Sequence, residues 1–326
     1  MKILVLGAGG MIGRKLIERL LASGTLQGQP IEAITAFDVS APDFTHETIR
    51  IDNVAGDVSD FSMCRDLVDE RPDVIVHLAA IVSGQAEEDF ELGYRINLDG
   101  TRHLFEAIRL EGREKKGAYR PRVVYASSIA VFGAPFPDPI PDEYHLTPLT
   151  SYGTQKAIGE LLLTDYTRRN FMDGVGIRFP TIVVRPGKPN KAASGFFSNI
   201  VREPLAGQEA VLPVDRDVMH WMASPRAAAG FCLHAAEMDT ETIGPRRNLT
   251  MPGVAVTVGE EIEAVRRAGG DEAAALIREE PDEAIRAMVG NWPRRFDAAR
   301  ARELGFEAEG SFDDIVKAHV EDEASA

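Results

Sequence analysis

A strand–turn–helix signal near the start of the sequence places the strongest constraint on how this chain folds. The segment KILVLG is a short, continuously apolar run, which is typical of a strand buried on both faces. It leads into GAGGMIG, where Gly7, Gly10 and Gly13 recur at every third position, and then into a segment with helical spacing. Glycines in such a turn let backbone N–H groups approach a pyrophosphate, and the helix N-terminus adds a favourable dipole. The pattern therefore predicts a phosphate-binding turn at the first strand of a parallel sheet.

Strand and helix patterns alternate through the first half of the sequence. The apolar runs that predict further strands are IEAITAFD, VAGDV, PDVIVHLAA, PRVVYASS and VGIRFPTIVVR. Between them lie helical patterns, including one with a predicted N-cap at Asp60, a long one from about Asp89 to Leu110, and one from Ser151. This alternation predicts an α/β fold of the Rossmann type, in which helices cover both faces of a doubly wound parallel sheet.

An acidic residue ends the second predicted strand. Asp38 lies 25 residues beyond Gly13, where a carboxylate can accept hydrogen bonds from both hydroxyls of an adenosine ribose. The same carboxylate repels a 2′-phosphate, so the sequence favours NAD over NADP as cofactor. Asp57, at the end of the third predicted strand, is placed to reach the adenine. A glycine turn that binds nothing is the alternative, and the flanking strand, helix and acidic strand end argue against it.

The strand–helix rhythm breaks near residue 186, where Pro and Gly become frequent. The later segments SGFFSNIVREPL, EAVLPV and RRNLTMPG predict a smaller, mixed α/β C-terminal substrate domain. An alanine-rich helical pattern near 224–238 is suited to pack back on the main sheet. We therefore expect an NAD-binding domain over 1–185 with this return helix, and a mainly substrate-binding domain over 186–326.

A tyrosine and a lysine in SYGTQKA carry the prediction of chemistry. Tyr152 and Lys156 lie four residues apart, so they project from one helix face. A tyrosine is a poor base at its reference pKa of about 10, but a nearby ammonium lowers that pKa. Ser127 and Ser128 end the fifth predicted strand, at the edge where parallel sheets bind ligands. The pair alone is a common surface feature, but with a serine and the glycine turn it predicts alcohol–ketone hydride transfer.

Charge and cysteine usage exclude several classes of function. The formal net charge of −15 argues against a nucleic-acid partner or an anionic membrane surface. Cys64 and Cys232 show neither metal-binding spacing nor a disulfide framework, so we predict no metal site and reduced core thiols, as in a cytoplasmic protein. The N-terminal segment lacks the features of a signal peptide, and no apolar run approaches the roughly 20 residues that a membrane helix needs.

These residues together resemble the extended short-chain dehydrogenases/reductases, the family of the nucleotide-sugar epimerases and dehydratases. The matching segments are GAGGMIG, GDV, HLAA, RINLDGT, SSIAVFG, YGTQK and RDVMHW, and they run from residue 3 to about 221. The resemblance implies that Ser128, Tyr152 and Lys156 are catalytic, with Tyr152 as the base. It also implies that Asn97 supports the backbone after the fourth strand, whereas we interpret His77 as a packed histidine without a catalytic role.

The predicted NAD contacts come from the glycine turn, the strand ends and the segments that match the family. They are Gly7, Gly10, Met11, Ile12, Gly13, Asp38, Asp57, Val58, Leu78, Ala79, Ala80, Asn97, Tyr152, Lys156, Pro180 and Ile182.

One segment of this acidic chain contains basic residues and no acidic ones. Residues 174–202 contain no Asp or Glu, and their cations are Arg178, Arg185, Lys188, Lys191 and Arg202. The segment is either a solvated basic loop or part of a pocket for an anionic substrate. Here the sequence resembles the branch of the family that oxidises the C2 hydroxyl of the four-carbon sugar acid D-erythronate with NAD, giving 2-dehydro-D-erythronate.

That resemblance implies a small anionic sugar acid as substrate. We expect its carboxylate to meet one of the polar residues of the basic segment, and its hydroxyls to face residues near the ends of strands. The predicted substrate contacts are Ser83, Ser128, Tyr152, Arg185, Lys188, Asn190, Lys191 and His220, with Trp221 as the alternative to His220.

Two other readings stay open. A nucleotide-sugar 4-epimerase would use the same chemistry in a larger groove, while dehydration is disfavoured because Ile129 and Ala130 occupy the positions of the acid/base pair. A catalytically inactive dinucleotide-binding sensor is disfavoured because such proteins usually lose the Tyr/Lys pair. The resemblance also implies a homodimer formed through the helices that begin near Asp89 and Ser151.

Overall fold

The computed structural model describes residues 1–114, 118–187 and 194–324 of the 326-residue chain. At its centre is a parallel sheet of seven strands, as predicted for a Rossmann-type fold. In chain order they are β1 (Lys2–Leu6), β2 (Ala33–Asp38), β3 (Arg50–Ala55), β4 (Val74–His77), β5 (Arg122–Ser128), β6 (Asp173–Phe179) and β7 (Asn248–Thr250). Their spatial order is β7-β6-β5-β4-β1-β2-β3, so the topology switches between β1 and β4, where sheets of this kind bind ligands.

Helices connect the strands and continue to the C-terminal end of the described chain. They are α1 (Met11–Ser23), α2 (Phe61–Asp69), α3 (Ser83–Glu88), α4 (Phe90–Gly93), α5 (Gly100–Glu114), α6 (Ser151–Arg168), α7 (Gly195–Leu205), α8 (Pro225–Glu237), α9 (Val258–Ala274), α10 (Glu283–Val289), α11 (Ala299–Glu303) and α12 (Phe312–Glu323). Asp60 caps α2 as predicted, because its carboxylate accepts a hydrogen bond from the backbone N–H of Ser62 at 2.8 Å. The predicted long helix from Asp89 is α4, a π-helical segment at Tyr94–Asp99, and α5. Within the described ranges, no helix is both long and apolar enough to cross a membrane.

Strand β1 shows why the sheet is covered on both faces. Ile3 and Val5 belong to one hydrophobic core, and Leu4 and Leu6 belong to another. Successive side chains of a strand point to opposite faces, so this alternation divides the two cores. Apolar residues of α1 and α8 fill the first core, and those of α2, α5 and α6 fill the second.

A smaller layer lies beyond the main sheet and has its own core. Its three-stranded sheet consists of Thr181–Ile182, Met219–Ala223 and Val254–Thr257. Apolar residues of α7, α9 and α12 pack there in a third core. Further short strands lie at Thr25–Leu26, Gln29–Pro30, Ile140–Pro141, Ala210–Leu212, Ile277–Glu279 and Phe296–Asp297.

Three predicted strands differ from the observed ones. β3 begins at Arg50 and ends before the glycine of the predicted VAGDV strand. The predicted strand VGIRFPTIVVR is two strands, because Pro180 has no N–H to continue the ladder and the chain then enters the smaller sheet. RRNLTMPG was expected in the C-terminal layer, but its strand β7 pairs with β6 at the edge of the main sheet.

Candidate active site

The glycine turn at the end of β1 has the close packing that a phosphate site requires. Gly7 has a φ of +84°, and a Cβ there would lie 2.7 Å from the backbone nitrogen of Ala79. A Cβ at Gly13 would collide with the backbone of Gly7 and Ala8. At Gly10, the N-cap of α1, no side chain caps the helix, and the first turn holds no acidic residue. The N–H groups of that turn are therefore arranged for an anion, which fits the pyrophosphate of NAD.

Asp38 lies directly beside this turn. Its Oδ2 accepts a hydrogen bond from the backbone N–H of Gly9 at 2.8 Å, and its Oδ1 accepts one from Val39 at 2.7 Å. The carboxylate ends β2, the strand next to β1, so it reaches the same edge as the glycine turn. Each carboxylate oxygen has further lone pairs, which leaves Asp38 able to accept bonds from ribose hydroxyls.

The other predicted cofactor positions lie along the carboxyl edge of the sheet. Asp57 follows β3 by two residues, and its Oδ1 accepts bonds from the N–H and hydroxyl of Ser59 at 2.8 and 2.7 Å. Val58 is buried against Gly100. The remaining positions are Met11 and Ile12 in the first turn of α1, Leu78, Ala79 and Ala80 after β4, and the buried Pro180 and Ile182 after β6.

Asn97 supports the backbone beyond β4 from within the π-helical segment. Its side-chain amide accepts from the N–H of Ile81 at 2.9 Å and donates to the Ile81 carbonyl at 3.3 Å. It also donates to Oε1 of Gln155 on α6 at 2.8 Å. π-Helical segments are frequent at functional sites, and this one connects α6 with the loop that follows Ala80.

Ser128, Tyr152 and Lys156 come together at the ends of β5 and α6. Thr150 caps α6 by accepting a bond from the N–H of Gly153 at 3.0 Å, so the helix begins just before Tyr152. The side chain of Ser128 lies close enough to Tyr152 to lower the pKa of its phenol. Lys156 donates from Nζ to the carbonyl of Ala126 at 2.7 Å, and this nitrogen lies 5.7 Å from the ring centre of Tyr152.

Burial and charge affect the two titratable groups of this cluster differently. Burial raises the pKa of Tyr152, while the Ser128 hydrogen bond and the positive charge of Arg185 oppose that rise. Burial lowers the pKa of Lys156 to about 8, and the negative charge of Glu160 opposes the decrease. The sequence-based prediction assigned the tuning of Tyr152 to Lys156, whereas Arg185 supplies the cationic contribution in this structure.

The cations of the basic segment separate into distinct environments. Arg178 forms a buried ion pair with Glu160 at 2.8 Å. Arg202 pairs with Glu203 and donates to the carbonyl of Arg185 at 2.6 Å. Arg185 interacts electrostatically with Tyr152, and its guanidinium donates to the carbonyl of Ile182 and to Ser194 at 3.1 and 2.9 Å. Arg185 is thus the described cation of this segment that interacts with Tyr152. Lys188, Asn190 and Lys191 lie outside the described residues.

The other predicted substrate residues that the structure describes are partly or fully buried. Ser83 is the half-buried first residue of α3. His220 is buried; its Nδ1 donates to the carbonyl of Pro293 at 2.8 Å, and its Nε2 lies 2.6 Å from the Thr181 hydroxyl. Trp221 is also buried and donates to the Met251 carbonyl at 3.1 Å. Because both nitrogens of His220 and the indole N–H of Trp221 are engaged, we leave these two residues out of the substrate contacts.

His77 lies at the end of β4 and is packed in the interior, the position expected of a histidine that is part of the core. It is 1% exposed, and its Nε2 lies 3.0 Å from the Thr101 hydroxyl. Burial and the charge of Lys156 lower its pKa to about 3, so the ring stays neutral.

Glu160 and Gln155 bind residues of the candidate site and were not predicted from the sequence. Glu160 follows Lys156 by four residues, so the same i,i+4 spacing that revealed the tyrosine and lysine could have revealed it. Gln155 had no such signal, because its bond to Asn97 joins residues 58 positions apart.

The chain is similar to known proteins both in sequence and in fold. The sequence pattern of the NAD dependent epimerase/dehydratase family matches residues 3–241. A protein of Cupriavidus necator named D-erythronate dehydrogenase is 45% identical over 99% of this chain and 98% of its own length. A protein of the same name from Haemophilus influenzae is 36% identical over 98% of this chain and 99% of its own. The crystal structure of a nucleoside-diphosphate-sugar epimerase from Agrobacterium tumefaciens is 60% identical, has a TM-score of 0.96, and covers 100% of this chain and 95% of that chain.

Proposed function

Because the chain belongs to the NAD-dependent epimerase/dehydratase family, whose cofactor is NAD, we propose that it oxidises D-erythronate to 2-dehydro-D-erythronate. The observation that carries this proposal is the whole-length similarity to two proteins named D-erythronate dehydrogenase. The chain is an NAD-dependent oxidoreductase, and the proposal concerns the substrate and the roles of its residues.

The cluster around Tyr152 supports a division of labour in this reaction. Ser128 orients the C2 hydroxyl of the substrate, and Tyr152 accepts its proton as the general base. Lys156 holds the ribose of the nicotinamide and contributes positive charge to the site. When bound, NAD would supply the acceptor for the hydride that leaves C2.

Arg185 supports an acid whose carboxylate is next to the reacting carbon. In D-erythronate, C2 is bonded directly to the carboxylate carbon, so an anionic group must lie close to the base. Arg185 acts electrostatically on Tyr152 and so is near enough to meet that group. A guanidinium binds carboxylate through charge-assisted hydrogen bonds, and burial strengthens this attraction. Lys188, Asn190, Lys191 and Ser83 remain proposed further contacts.

A nucleotide-sugar epimerase is the second candidate, because a protein named nucleoside-diphosphate-sugar epimerase is 60% identical to this chain. An epimerase returns the hydride to the substrate and leaves no net NADH, whereas a dehydrogenase accumulates NADH.

The two candidates are separated by incubating the protein with NAD and either D-erythronate or a panel of nucleotide sugars. We expect NADH absorbance to rise with D-erythronate, and its enantiomer L-erythronate provides the matched control. The proposal would be wrong if D-erythronate gave no NADH while a nucleotide sugar was converted to its epimer.

We further propose that the protein forms a homodimer through α5 and α6. The support is the family resemblance together with the exposure of Leu161 on α6, which is 65% exposed despite its apolar side chain. Sedimentation velocity should give twice the chain mass of 35.6 kDa, and a monomer at micromolar concentration would contradict this proposal.

A further inference from the structure

Glu160 is a buried carboxylate to which the proposed reaction gives no direct role. It lies on α6 four residues beyond Lys156, so both side chains project from one face of the helix. Glu160 is 1% exposed and Lys156 is 3% exposed. Burial of a charged group is costly unless partners compensate it, so the partners of Glu160 show what its carboxylate does here.

The carboxylate bridges the ends of two neighbouring strands. Its Oε1 accepts from the Ser127 hydroxyl at 2.6 Å and from Nε of Arg178 at 2.9 Å, and its Oε2 accepts from Nη2 of Arg178 at 2.8 Å. Ser127 on β5 and Arg178 on β6 are paired in the sheet register. Glu160 therefore holds α6 against the carboxyl edge of the sheet.

Two bonds from α6 fix consecutive residues of β5. Lys156 binds the carbonyl of Ala126 at 2.7 Å, and Glu160 binds the hydroxyl of Ser127 at 2.6 Å. The next residue is Ser128, whose side chain acts on the pKa of Tyr152. The backbone just before the catalytic serine is thus set by the same helix that carries Tyr152.

Of the two charges in the Glu160–Arg178 ion pair, the carboxylate of Glu160 is the one that acts electrostatically on Lys156. The cation, Arg178, makes its other bonds to the Asp142 carbonyl and the Thr250 hydroxyl at 3.1 and 3.4 Å, and it lies 5.0 Å from the ring centre of Phe132. The positive end of the pair is therefore anchored by elements other than the catalytic part of α6.

Among the described residues, the titratable groups that face Lys156 come from three elements. Tyr152 and Glu160 lie on α6, Tyr125 lies on β5 with its ring centre 5.2 Å from Nζ, and His77 lies on β4. Burial keeps His77 neutral, and it keeps the pKa of Tyr125 well above the usual value for tyrosine. Glu160, which is paired with Arg178, is the carboxylate among these groups.

We propose that Glu160 is a positioning residue that both aligns Ser128, through Ser127, and keeps Lys156 in its ammonium form. The inference rests on the proposed function because it takes Lys156 to be part of that reaction. Without a neighbouring anion, burial would favour the neutral amine, and the cluster would lose a positive charge.

The test measures the charge of Lys156 in the protein without NAD. The chain contains eight lysines, so lysine side chains labelled with ¹³C at Cε give few NMR resonances, and a Lys156→Met variant identifies the resonance of Lys156. We expect Glu160→Gln to lower the titration midpoint of Lys156 by about one pH unit or more, because an attractive charge is removed. An unchanged midpoint overturns the proposal.

A matched control separates this effect from general loss of stability. Asp173 begins β6, at the opposite end of the strand from Arg178, and its Oδ2 accepts a bond from Nε of Arg122 at 3.0 Å. Asp173→Asn should lower stability but leave the Lys156 midpoint unchanged. An equal shift in this control would mean that the effect is not specific to Glu160, which overturns the proposal.

If Glu160→Gln does not fold, a double variant keeps the proposal testable. Glu160→Gln with Arg178→Met removes both charges of the ion pair, so Arg178 is not left buried without its partner, and such replacements are often tolerated. The Lys156 midpoint should again fall, and a wild-type midpoint would overturn the proposal.

The test is independent of the proposed substrate. The titration uses no turnover, so a protein that fails to oxidise D-erythronate still reports on Glu160. A second readout is the pH profile of kcat/KM, whose alkaline limb should move to lower pH in Glu160→Gln. A purely structural defect would lower kcat/KM across the profile and leave the limb in place.

Discussion

At the residue scale, Tyr152 is the group on which the proposed chemistry depends most directly. Tyr152→Phe removes the hydroxyl and keeps the ring, so folding and NAD binding should persist. The value of kcat should fall about 10²–10⁴-fold, the range for loss of a general acid–base group. Steady-state kinetics measure the fall, and fluorescence titration measures NAD binding.

Tyr144→Phe is the matched control, since the Tyr144 hydroxyl donates to the carbonyl of Pro135, outside the cluster of Ser128, Tyr152 and Lys156. That variant should keep wild-type kcat. If Tyr152→Phe also kept full turnover, Tyr152 would not be the base.

Arg185 determines substrate binding in our proposal. Arg185→Ala removes the guanidinium beside Tyr152, so KM for D-erythronate should rise about 10–100-fold, as expected for a lost charged hydrogen bond. Arg216→Ala is a suitable control, because Arg216 is an exposed residue that pairs with Glu279 at 2.6 Å. An unchanged KM in Arg185→Ala would place the substrate carboxylate elsewhere.

The basic segment shows where residue-level prediction from sequence stops. Arg178 and Arg185 are equivalent in the sequence, because both lie in a stretch without acidic residues. The structure separates them through long-range partners: Glu160 neutralises Arg178, whereas Arg185 acts on Tyr152. Local charge pattern therefore indicated a basic region but could not say which cation is available to a substrate.

At the element scale, the glycine turn between β1 and α1 is the feature with the least tolerance for change. Gly13→Ala would force its Cβ into the backbone of Gly7 and Ala8, so the turn must open and displace the N–H groups proposed to bind the pyrophosphate. We expect at least a tenfold weaker affinity for NAD, measured by isothermal titration calorimetry.

Gly290→Ala serves as the control for this substitution. Gly290 has helical φ and ψ, and its nearest contact to an added Cβ would be 3.4 Å away, which is ordinary packing. NAD affinity should be unchanged in that variant. Wild-type affinity in Gly13→Ala would argue against a pyrophosphate at the turn.

Strands that are buried on both faces could be predicted, because they appear in the sequence as continuous apolar runs. β1 and β5 are continuous apolar runs, and their positions agree with the prediction. β7 was not predictable as part of the main sheet, because it has three residues and its partner β6 lies about 70 residues earlier. Pairing at that separation depends on the tertiary path of the chain, which local periodicity does not record.

At the scale of the whole molecule, the smaller layer has a core separate from those of the main sheet, and this layer contains a buried acid, Glu261. Glu261 on α9 is 0% exposed, and among the residues that the structure describes neither carboxylate oxygen has a hydrogen-bond partner. Its neighbours on the helix, Val258, Ile262 and Val265, belong to the apolar core of that layer. A charged carboxylate there would be strongly destabilising, so the folded protein favours the protonated acid.

Glu261 should therefore make the stability of the protein fall as pH rises. Burial raises the pKa of Glu261 well above its ordinary value of 4.5, so the folded state keeps a proton that the unfolded chain has lost. The stabilising contribution is complete below pH 4.5 and is lost as pH increases towards the raised pKa. Glu261→Gln cannot ionise, so its free energy of unfolding in urea should exceed that of the wild type at pH 8 by about 1 kcal/mol or more. The difference between the two proteins should shrink at pH 5. Glu263→Gln, an exposed substitution on the same helix, should show no such dependence on pH. If the stabilities of the wild type and of Glu261→Gln depended equally on pH, Glu261 would not be the cause of the pH dependence.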